Sequence, residues 1–451
     1  MKKDALYHAI HINIDKCIGC SHCIKVCPTE ALHIWDGHSN LNSKRCIDCD
    51  ECYRVCPVGA IQVEDDGLSQ IESFTTKVAL IPAVFMGQFP IHIKAREVFI
   101  AIQELGFTHV YEVEEGSQLV EELIIKKIND KEKPPIISSF CPAVLRLIQV
   151  NFPQLTDNIV NLKTPVDITA TSIRKQLKNK EDVGIFYFTP CSAKITSLKA
   201  PIGEDESTLD GVINMNVIFN KIQALLNNRT ANPKKHKKEI SNNAIKPDHI
   251  LWGLTGGEIK NLPGTCLSID GIKNIISFLD MIETRGGYGI DFLEMKGCDQ
   301  GCAGGILTPQ NRFITAQRLR NRAKYYNDYY EDNPNDSPIY HTNGITFEEV
   351  KTDKIEPRSI LKFDSDPMKA LQKMEQSHKI AKILPSLDCS ACGFASCKAL
   401  NRNIIEGNAE LEYCFVLQRK KEEIGELTPK ESKLILEKIW GEKKFKNNNL
   451  S

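Results

Sequence analysis

Apolar and polar positions along the chain predict an α/β architecture. Residues 95–105 place Val98, Phe99, Ile102 and Leu105 on one side of a helix. Short apolar runs typical of buried strands occur at residues 80–85, 108–112, 136–139 and 184–188. Strands that alternate with helices favour parallel sheets, so we expect a domain of two α/β lobes.

Three segments break this periodic pattern. Residues 230–249 are polar and basic, which predicts a surface insertion; a nucleic-acid role is the alternative, but no aromatic interleaving or binding fold accompanies the charges. Residues 325–343 are rich in Tyr, Asn, Asp and Pro and read as a linker. Residues 441–451 read as a disordered tail.

Composition and charge exclude several classes of protein. The 451 residues are enough for about two to four domains. Lys and Arg total 57 against 58 Asp and Glu, so no overall field attracts nucleic acid or an anionic membrane. The longest apolar stretch, between Lys77 and His92, is interrupted by Pro82 and Pro90 and is shorter than the roughly 20 residues of a membrane-spanning helix. With no signal peptide recognisable, we expect a cytoplasmic protein.

Cysteine is the unusual residue, with 17 copies. A reducing cytoplasm disfavours disulfides, so the cysteines are expected to bind metal or carry redox chemistry. The first eight form two runs with the spacing C-x2-C-x2-C-x3-C-P, at residues 17–28 and 46–57. Zinc is the alternative ligand, but zinc sites rarely use four cysteines so closely spaced, twice, each run ending in proline.

The two runs resemble those of bacterial two-cluster ferredoxins, which implies an α+β domain over residues 1–70. In that family the fourth cysteine of each run binds the other [4Fe-4S] cluster. The resemblance therefore implies one cluster on Cys17, Cys20, Cys23 and Cys56, and a second on Cys46, Cys49, Cys52 and Cys27.

A different cysteine pattern closes the chain. The cysteines are Cys389, Cys392, Cys397 and Cys414, and residues 398–413 between the last two read as a helix. Asp388 and Gly393 fit the small four-cysteine iron–sulfur domain of anaerobic electron-transfer proteins, whereas Ser390 departs from it. This resemblance implies a small helical [4Fe-4S] domain at residues 376–440, after a linker at 346–375. Zinc stays an alternative here.

Four of the remaining cysteines lie in three separated motifs. The motifs are SSFCPA at residues 138–143, TPCSAK at 189–194 and FLEMKGCDQGCAGG at 292–305. In order and character they resemble the active-site signatures of the [FeFe]-hydrogenases, T-S-C-C-P-x-W, M-P-C-x-x-K and E-x-M-A-C-x-x-G-C-x-G-G. With the ferredoxin-like runs, the resemblance extends from Cys17 to about Arg322. It implies a catalytic domain at residues 75–345.

The resemblance also implies a catalytic H-cluster and its ligands. Cys141, Cys191, Cys298 and Cys302 would bind its cubane, and Cys302 would bridge to a diiron subcluster that carries carbon monoxide, cyanide and a dithiolate amine. Lys194 would pair with a cyanide; the alternative is a solvated surface lysine. Sixteen cysteines are then ligands of four clusters, and Cys266 is left over, which is expected to be a small buried hydrophobic residue.

Departures from the family pattern are equally informative. Phe140 stands where the family carries a cysteine that relays protons, and Lys296-Gly297 replaces Met-Ala. Thr189 replaces Met, and Val144 takes the tryptophan position. These changes are typical of divergent sensory branches of the family, which often carry the C-terminal cluster domain.

Loss of the relay thiol requires another route for protons. Glu258 and Glu294 lie near the family motifs, and a carboxyl in an apolar site can shuttle protons. The alternative is a structural carboxylate that caps a turn or pairs with a lysine.

The expected function is hydrogenase activity: reversible hydrogen oxidation and proton reduction, slow, with a role in sensing hydrogen or redox state. Its substrates would be hydrogen and protons. Its protein partners would be an external ferredoxin-type electron carrier, maturation proteins for the diiron unit and a regulatory protein that carries any signalling output. The alternative is a hydrogenase-related iron–sulfur scaffold or electron-transfer protein without the diiron site.

Overall fold

A computed structural model describes residues 6–203, 206–231, 245–286, 288–333, 342, 344–358 and 366–446. The chain divides into two compact units. The first combines Met1–Val63 with Pro357–Ser451, and the second is Glu64–Glu356. The first unit therefore contains both ends of the chain.

The N-terminal part of the first unit is a small α+β arrangement, as predicted for the ferredoxin-like runs. Its strands form two antiparallel pairs, β1 with β4 and β2 with β3. Ile10, Ile24, Leu32, Ile34 and Ile61 are buried and form a core that also contacts several cysteines. The elements are β1 (Ile10–Ile12), α1 (His22–Val26), β2 (Leu32–Trp35), β3 (His38–Leu41), α2 (Glu51–Arg54) and β4 (Ile61–Val63).

Two parallel sheets build the second unit. Its strands are β5 (Thr76–Ile81), β6 (His109–Glu112), β7 (Ile136–Ile137), β8 (Val183–Thr189), β9 (Gly211–Asn214), β10 (Cys266–Asp270) and β11 (Phe292–Lys296). The larger sheet has the order β6-β5-β8-β9 and the smaller one β10-β11-β7. Every pairing in both sheets is parallel, and the central strands of the larger sheet, β5 and β8, are largely apolar on both faces. The prediction of an α/β fold with parallel sheets is confirmed.

Helices cover these sheets. α4 buries Val98, Phe99 and Ile102, as its periodicity predicted, in a core that also contains Phe186 and Phe188 of β8. The helices of this unit are α3 (Ala83–Met86), α4 (Ala95–Glu104), α5 (Ser117–Asn129), α6 (Pro142–Asn151), α7 (Pro165–Gln176), α8 (Ser192–Lys199), α9 (Met215–Ala231), α10 (Ile272–Arg285), α11 (Arg312–Asp332) and α12 (Phe347–Val350). Short 3₁₀ helices lie at Leu68–Ser73, Val113–Gly116, Pro153–Asn158, His249–Leu251 and Gly301–Gly304.

The C-terminal helices pack on the N-terminal part of the first unit. They are α13 (Pro367–Ile383), α14 (Cys397–Ile405), α15 (Phe415–Glu423), α16 (Pro429–Trp440) and α17 (Lys443–Lys446), with a 3₁₀ turn at Leu411–Tyr413. The N–H of Ile34 in β2 donates to the carbonyl of Gly393 (2.7 Å), which lies in the last cysteine-rich segment. Gly393 has φ +81°, and a Cβ there would lie 2.7 Å from the carbonyl oxygen of Ile34, so only glycine allows this approach.

Several predicted elements end earlier than the sequence suggested, among them the strand predicted at residues 136–139, which ends at Ile137. The strand predicted at residues 80–85 ends at Ile81 because Pro82 cannot donate to the ladder, and residues 83–86 turn into α3. The helix predicted at 398–413 ends at Ile405, shortly before Gly407 adopts φ +77°.

Three segments predicted as irregular are partly ordered. Residues 325–343 were predicted to form a linker. This prediction is wrong for residues 325–332, because α11 continues to Asp332 and packs Ala323 and Tyr326 on the core. Residues 334–341 and 343 lie outside the described part. The predicted insertion at 230–249 ends in the buried His249, and its residues 232–244 lie outside the described part. The predicted tail begins with the helix α17, and residues 447–451 are not described.

The domain boundaries expected from the sequence stay a prediction. Residues 64–356 form one unit, and the range 346–375 contains α12 and the start of α13. Among the helices that the structure describes, none has the length and apolar character needed to cross a bilayer.

Candidate metal centres

Three of the cysteines in the hydrogenase-like motifs follow the carboxyl ends of parallel strands. Cys141 comes after β7 and directly before α6, Cys191 comes after β8 and directly before α8, and Cys298 follows β11. β7 and β11 are neighbours in the smaller sheet, whereas β8 belongs to the larger one. Carboxyl ends of parallel strands are where open α/β sheets place their binding sites. The strands predicted at residues 136–139 and 184–188 are therefore the ones that precede Cys141 and Cys191.

Loop contacts bring the cysteines of both sheets together. The N–H of Gly297 points at Cys141 Sγ (3.5 Å), which joins the ends of β7 and β11. The N–H of Leu307 donates to the carbonyl of Pro190 (3.0 Å), so the loop that carries Cys302 reaches the residue before Cys191. A Cβ at Gly305 would lie 2.3 Å from the same carbonyl oxygen, so the glycine allows this contact.

A small cavity, whose empty space of about 330 Å³ includes open solvent, lies beside Cys302. Its polar groups are few: the Cys302 thiol, the Lys194 ammonium, the Glu114 carboxyl and the Ser117 hydroxyl. The other lining residues are mostly apolar: Pro82, Val84, Val113, Phe140, Pro165, Val166, Tyr187, Trp252 and Gly253. One thiol and one cation in a mostly apolar cavity, which the Glu114 carboxyl and the Ser117 hydroxyl also line, fit a compact anionic group that is attached to the protein through a single thiolate.

Lys194 is a buried cation that faces this cavity. It is 8% exposed, so the alternative of a solvated surface lysine does not hold. Its Nζ lies 4.4 Å from the ring centroid of Phe140 and 5.8 Å from that of Tyr187. Within the described residues, no acceptor lies within hydrogen-bond distance of this Nζ. Its three N–H donors are therefore available to an anionic ligand.

Lys296 is a second buried lysine, and its surroundings are the opposite. Its Nζ contacts the carboxylates of Glu258 (2.9 Å) and Glu294 (2.7 Å). It also donates to the carbonyls of Trp252 (2.8 Å) and Leu254 (3.0 Å). All three charged side chains are at most 2% exposed. The ammonium is fully partnered and holds the loop 252–258 against β11.

The carboxylates of this ion pair have further donors. Glu258 Oε2 accepts from Ser138 Oγ (2.5 Å), and Glu294 accepts from the N–H groups of Gly256 (2.9 Å) and Glu258 (3.1 Å). Burial raises the pKa of Glu258 in spite of Lys296, and the charge of Glu294 adds to this effect. Burial alone would lower the pKa of Lys296, but the two carboxylates raise it. These contacts give Glu258 and Glu294 the structural role that was the alternative; proton transfer through them stays a prediction.

Two departures from the family pattern meet in space. The ring centroid of Phe140 lies 5.0 Å from Lys296 Nζ as well as 4.4 Å from Lys194 Nζ. The N–H of Phe140 donates to Ser138 Oγ (3.1 Å), the hydroxyl that binds Glu258. Burial raises the pKa of Cys302, and the charges of Lys194 and Lys296 act against this rise. The sequence marked positions 140 and 296 as unusual but did not show their contact.

A second cleft adjoins the first and encloses about 800 Å³, part of it open to solvent. Val166, Tyr187 and Lys194 line both spaces. Burial raises the pKa of Tyr187 well above its usual value, and the nearby thiols of Cys302 and Cys191 add to this, so its hydroxyl stays neutral. Burial also raises the pKa of Glu114 to about 8, although Glu114 accepts a hydrogen bond from the N–H of Ala83 (2.7 Å). Sequence reasoning missed Tyr187 and Glu114, because neither lies in a recognisable motif.

In the first unit, one cavity is lined by Cys17, Cys20, Cys23 and Cys56. This is the set that the ferredoxin resemblance implies for one cluster, with three ligands from the first run and one from the second. Backbone N–H groups point at two of the sulfurs, from Ser39 to Cys17 (3.4 Å) and from Ala60 to Cys56 (3.2 Å). Such N–H groups are the hydrogen bonds that tune an iron–sulfur cluster.

The second implied set is also gathered in one place. Burial raises the pKa of Cys46, Cys49 and Cys52 well above the usual thiol value, and the Cys27 thiol adds to the rise at all three. Buried thiolates in such number are costly unless they bind a cation, so the donor set fits a metal cluster. His8 lies nearby, with Nδ1 2.8 Å from the carboxylate of Asp48.

The C-terminal cysteines form a third group. Burial raises the pKa of Cys392 to about 12, with further contributions from the thiols of Cys414, Cys389 and Cys397. Asp388, which fits the family pattern, accepts from the N–H of Cys397 (2.7 Å).

Cys266 lies apart from these groups. It is half-buried in β10 beside Phe292, and its Sγ donates to the carbonyl of Pro263 (3.4 Å). Cys266 was predicted to be buried, but it is only half-buried, because β10 is an edge strand that is only partly covered.

Comparison with known proteins gives matches over three parts of the chain. Residues 76–262 match the family model of the iron-only hydrogenase large subunit, C-terminal domain. Residues 9–63 match a 4Fe-4S dicluster domain, and residues 384–416 match a model for an Fe-S cluster.

The curated relatives are hydrogenases of low identity. Iron hydrogenase 1 of Clostridium pasteurianum is 22% identical over 258 residues, which is 46% of this chain and 44% of the relative. The NADP-reducing hydrogenase subunit HndD of Solidesulfovibrio fructosivorans is 22% identical over 314 residues, 64% of this chain and 49% of the relative. The chain thus spans about half the length of these relatives. A variant of the [FeFe]-hydrogenase HydA1 from Chlamydomonas reinhardtii superposes with a TM-score of 0.45 at 16% identity, over 64% of this chain and 98% of that one.

Fold, cysteine groups and matches together define an iron–sulfur protein with a hydrogenase-type domain. Residues 76–262 carry the iron-only hydrogenase large-subunit domain, which places this part of the chain in the [FeFe]-hydrogenase family. The resemblance inferred from the motifs is thereby confirmed, and iron–sulfur clusters are its cofactors.

The buried ion pair makes a first prediction. Lys296→Met introduces the residue usual in the family but leaves Glu258 and Glu294 buried without their cation. We expect a loss of roughly 3–5 kcal/mol in the free energy of unfolding. Urea denaturation of anaerobic protein, followed by circular dichroism, measures it. The matched control is Lys351→Met, since the Lys351–Glu348 pair is 56% and 79% exposed and should change stability by less than about 1 kcal/mol. Equal effects of the two variants would show that the buried pair is not important for stability.

Proposed function

We propose that this chain is an [FeFe]-hydrogenase that interconverts hydrogen with protons and electrons at an H-cluster bound by Cys141, Cys191, Cys298 and Cys302. The observation that carries the proposal is the cavity beside Cys302, where one thiol and one buried ammonium, without an acceptor among the described residues, face a mostly apolar space. A plain electron-transfer cluster needs neither the cavity nor a cation without a partner.

The residues of the cavity have separate roles in this proposal. Cys302 would link the cubane to the diiron subcluster, and Lys194 would donate hydrogen bonds to a cyanide ligand. The apolar residues around them exclude water, which strengthens these polar contacts. When bound, the diiron subcluster with its carbon monoxide, cyanide and dithiolate amine supplies the metal site at which hydrogen is split or formed; the protein supplies attachment, orientation and a low dielectric.

The cysteine groups of the first unit would carry electrons. We propose three accessory [4Fe-4S] clusters there, which exchange electrons with an external ferredoxin-type protein. Assembly of the diiron subcluster would need dedicated maturation proteins. Free cysteines in this number are compatible with a reducing compartment, so we propose the cytoplasm.

Infrared spectroscopy of the maturated protein tests the proposal. We expect carbonyl and cyanide stretching bands together with hydrogen-dependent dye reduction. Cys302→Ala should lose the bands and the activity, because the diiron subcluster loses its link to the protein. Full occupancy of the accessory clusters without these bands in the unmodified chain would contradict the proposal and favour a scaffold or electron-transfer protein.

Phe140 supports slow turnover and a role in sensing. A phenyl ring cannot carry a proton, and it stands at the position of the family's relay thiol. A sensor needs only to bind hydrogen and change state. We therefore expect hydrogen, in place of argon, to change the affinity of the maturated chain for a regulatory protein encoded beside it, at a turnover too slow for metabolism. Unchanged affinity together with fast turnover would contradict this part of the proposal.

A proton route through Glu258 and Glu294 completes the proposal. The hydrogen bonds from Glu294 through Lys296 and Glu258 to Ser138 are continuous, and Ser138 also binds the backbone of Phe140. Glu258→Gln and Glu294→Gln keep the shape of the side chain but remove the acid. Each should lower turnover about 100-fold, the lower end for a general acid, while leaving the infrared bands in place. Glu348→Gln, at an exposed pair, is the control. Unchanged turnover in both buried variants would exclude this route.

A further inference from the structure

We propose that Phe140 is a positioning residue that holds the Lys194 ammonium over the cavity beside Cys302. The inference rests on the proposed function, because the group that the ammonium would face is the diiron subcluster. It assigns a role to the phenyl ring of Phe140, which stands in place of the family's relay thiol.

The environment of the Lys194 ammonium supports this role of Phe140. Among the described residues, the groups found in contact with it are aromatic rings, with Phe140 the nearer at 4.4 Å and Tyr187 at 5.8 Å. A lysine side chain has four rotatable bonds, and an ammonium without an acceptor has no hydrogen bond to fix its position. The negative face of an aromatic ring attracts a cation without using its N–H donors. Phe140 can therefore orient Lys194 and leave all three donors to a ligand.

Phe140 is itself held in place by neighbouring groups. Its N–H donates to Ser138 Oγ, and this hydroxyl donates to Glu258. Its ring lies 5.0 Å from Lys296 Nζ, which is fixed by two carboxylates and two backbone carbonyls. Those carbonyls belong to Trp252 and Leu254, and Trp252 lines the same cavity as Lys194. The ring is thus a rigid support between the buried ion pair and the cavity.

A cysteine at position 140 could not position Lys194 in this way. A thiol is smaller than a phenyl ring and has no π face for a cation. Proton relay and lysine positioning are therefore separate properties of position 140. Variants at this position can separate them, because one property needs an acidic proton and the other an aromatic ring.

The experiment compares Phe140→Leu, Phe140→Cys and Phe140→Tyr in maturated protein by infrared spectroscopy and turnover. We expect the cyanide bands to shift and broaden in Phe140→Leu and Phe140→Cys, with smaller changes in the carbonyl bands. Phe140→Tyr keeps the ring and should keep the bands. Phe140→Cys should also raise turnover at least about tenfold, since it restores a proton carrier next to the cavity, whereas Phe140→Leu should not.

Phe107→Leu is the matched control. Phe107 is equally an aromatic residue of this unit, packed on Phe186 and Phe188, and is not among the residues that line the cavity. Its cyanide bands should be those of the unmodified chain. Should Phe140→Leu fail to take up clusters, Phe140→Met tests the same loss of the ring.

Three outcomes overturn the inference. Cyanide bands that are unchanged in the non-aromatic variants would show that the ring does not position Lys194. The same shift in Phe107→Leu would show a general packing effect. Absence of carbonyl and cyanide bands in the unmodified chain would instead overturn the proposed function, and the inference with it.

Discussion

A [4Fe-4S] cluster requires four protein sulfur atoms around one cube, and we propose that this constraint organises the second unit. Short parallel strands end two to four residues before Cys141, Cys191 and Cys298, and the loop after β11 also carries Cys302. Two of the strands lie in one sheet and the third lies in the other, so the site depends on contacts between the two sheets. The hydrogen bond from Leu307 to Pro190 is one such contact, and the close approach of Gly305 to the same carbonyl is another.

The two buried lysines of the site differ in how their positive charge is compensated. Lys296 carries a positive charge that is matched by Glu258 and Glu294, so this group stabilises a loop and offers nothing to a ligand. Lys194 is buried, and within the described residues its ammonium lies near the rings of Phe140 and Tyr187 with no carboxylate paired to it. An unpaired buried cation is costly, and its persistence in an apolar cavity favours an anionic group as its partner. Phe140 connects the two lysines, since both ammonium groups lie near its ring.

The grouping of the ferredoxin-like cysteines could be predicted because their spacing is itself chemical information. Short fixed intervals such as those from Cys17 to Cys27 allow one loop to surround a cluster, and no tertiary contact is needed to recognise them. The α/β fold could be predicted because buried parallel strands are apolar on both faces, as in Val78–Ile81. The ends of strands and helices were harder to predict. Pro82 ends one strand early, and α11 continues through a polar segment because Ala323 and Tyr326 face the core. The meeting of Phe140 with Lys296 could not be predicted, since the two positions are far apart in sequence and only the fold joins them.

The central claim is that Cys141, Cys191, Cys298 and Cys302 hold iron together at the ends of β7, β8 and β11. Anomalous X-ray diffraction at the iron edge, from crystals of maturated protein, tests it most directly. The account predicts a four-iron peak bounded by these four cysteines, with a two-iron peak adjoining it in the cavity beside Lys194. Iron peaks confined to the cysteine groups of the first unit would contradict it.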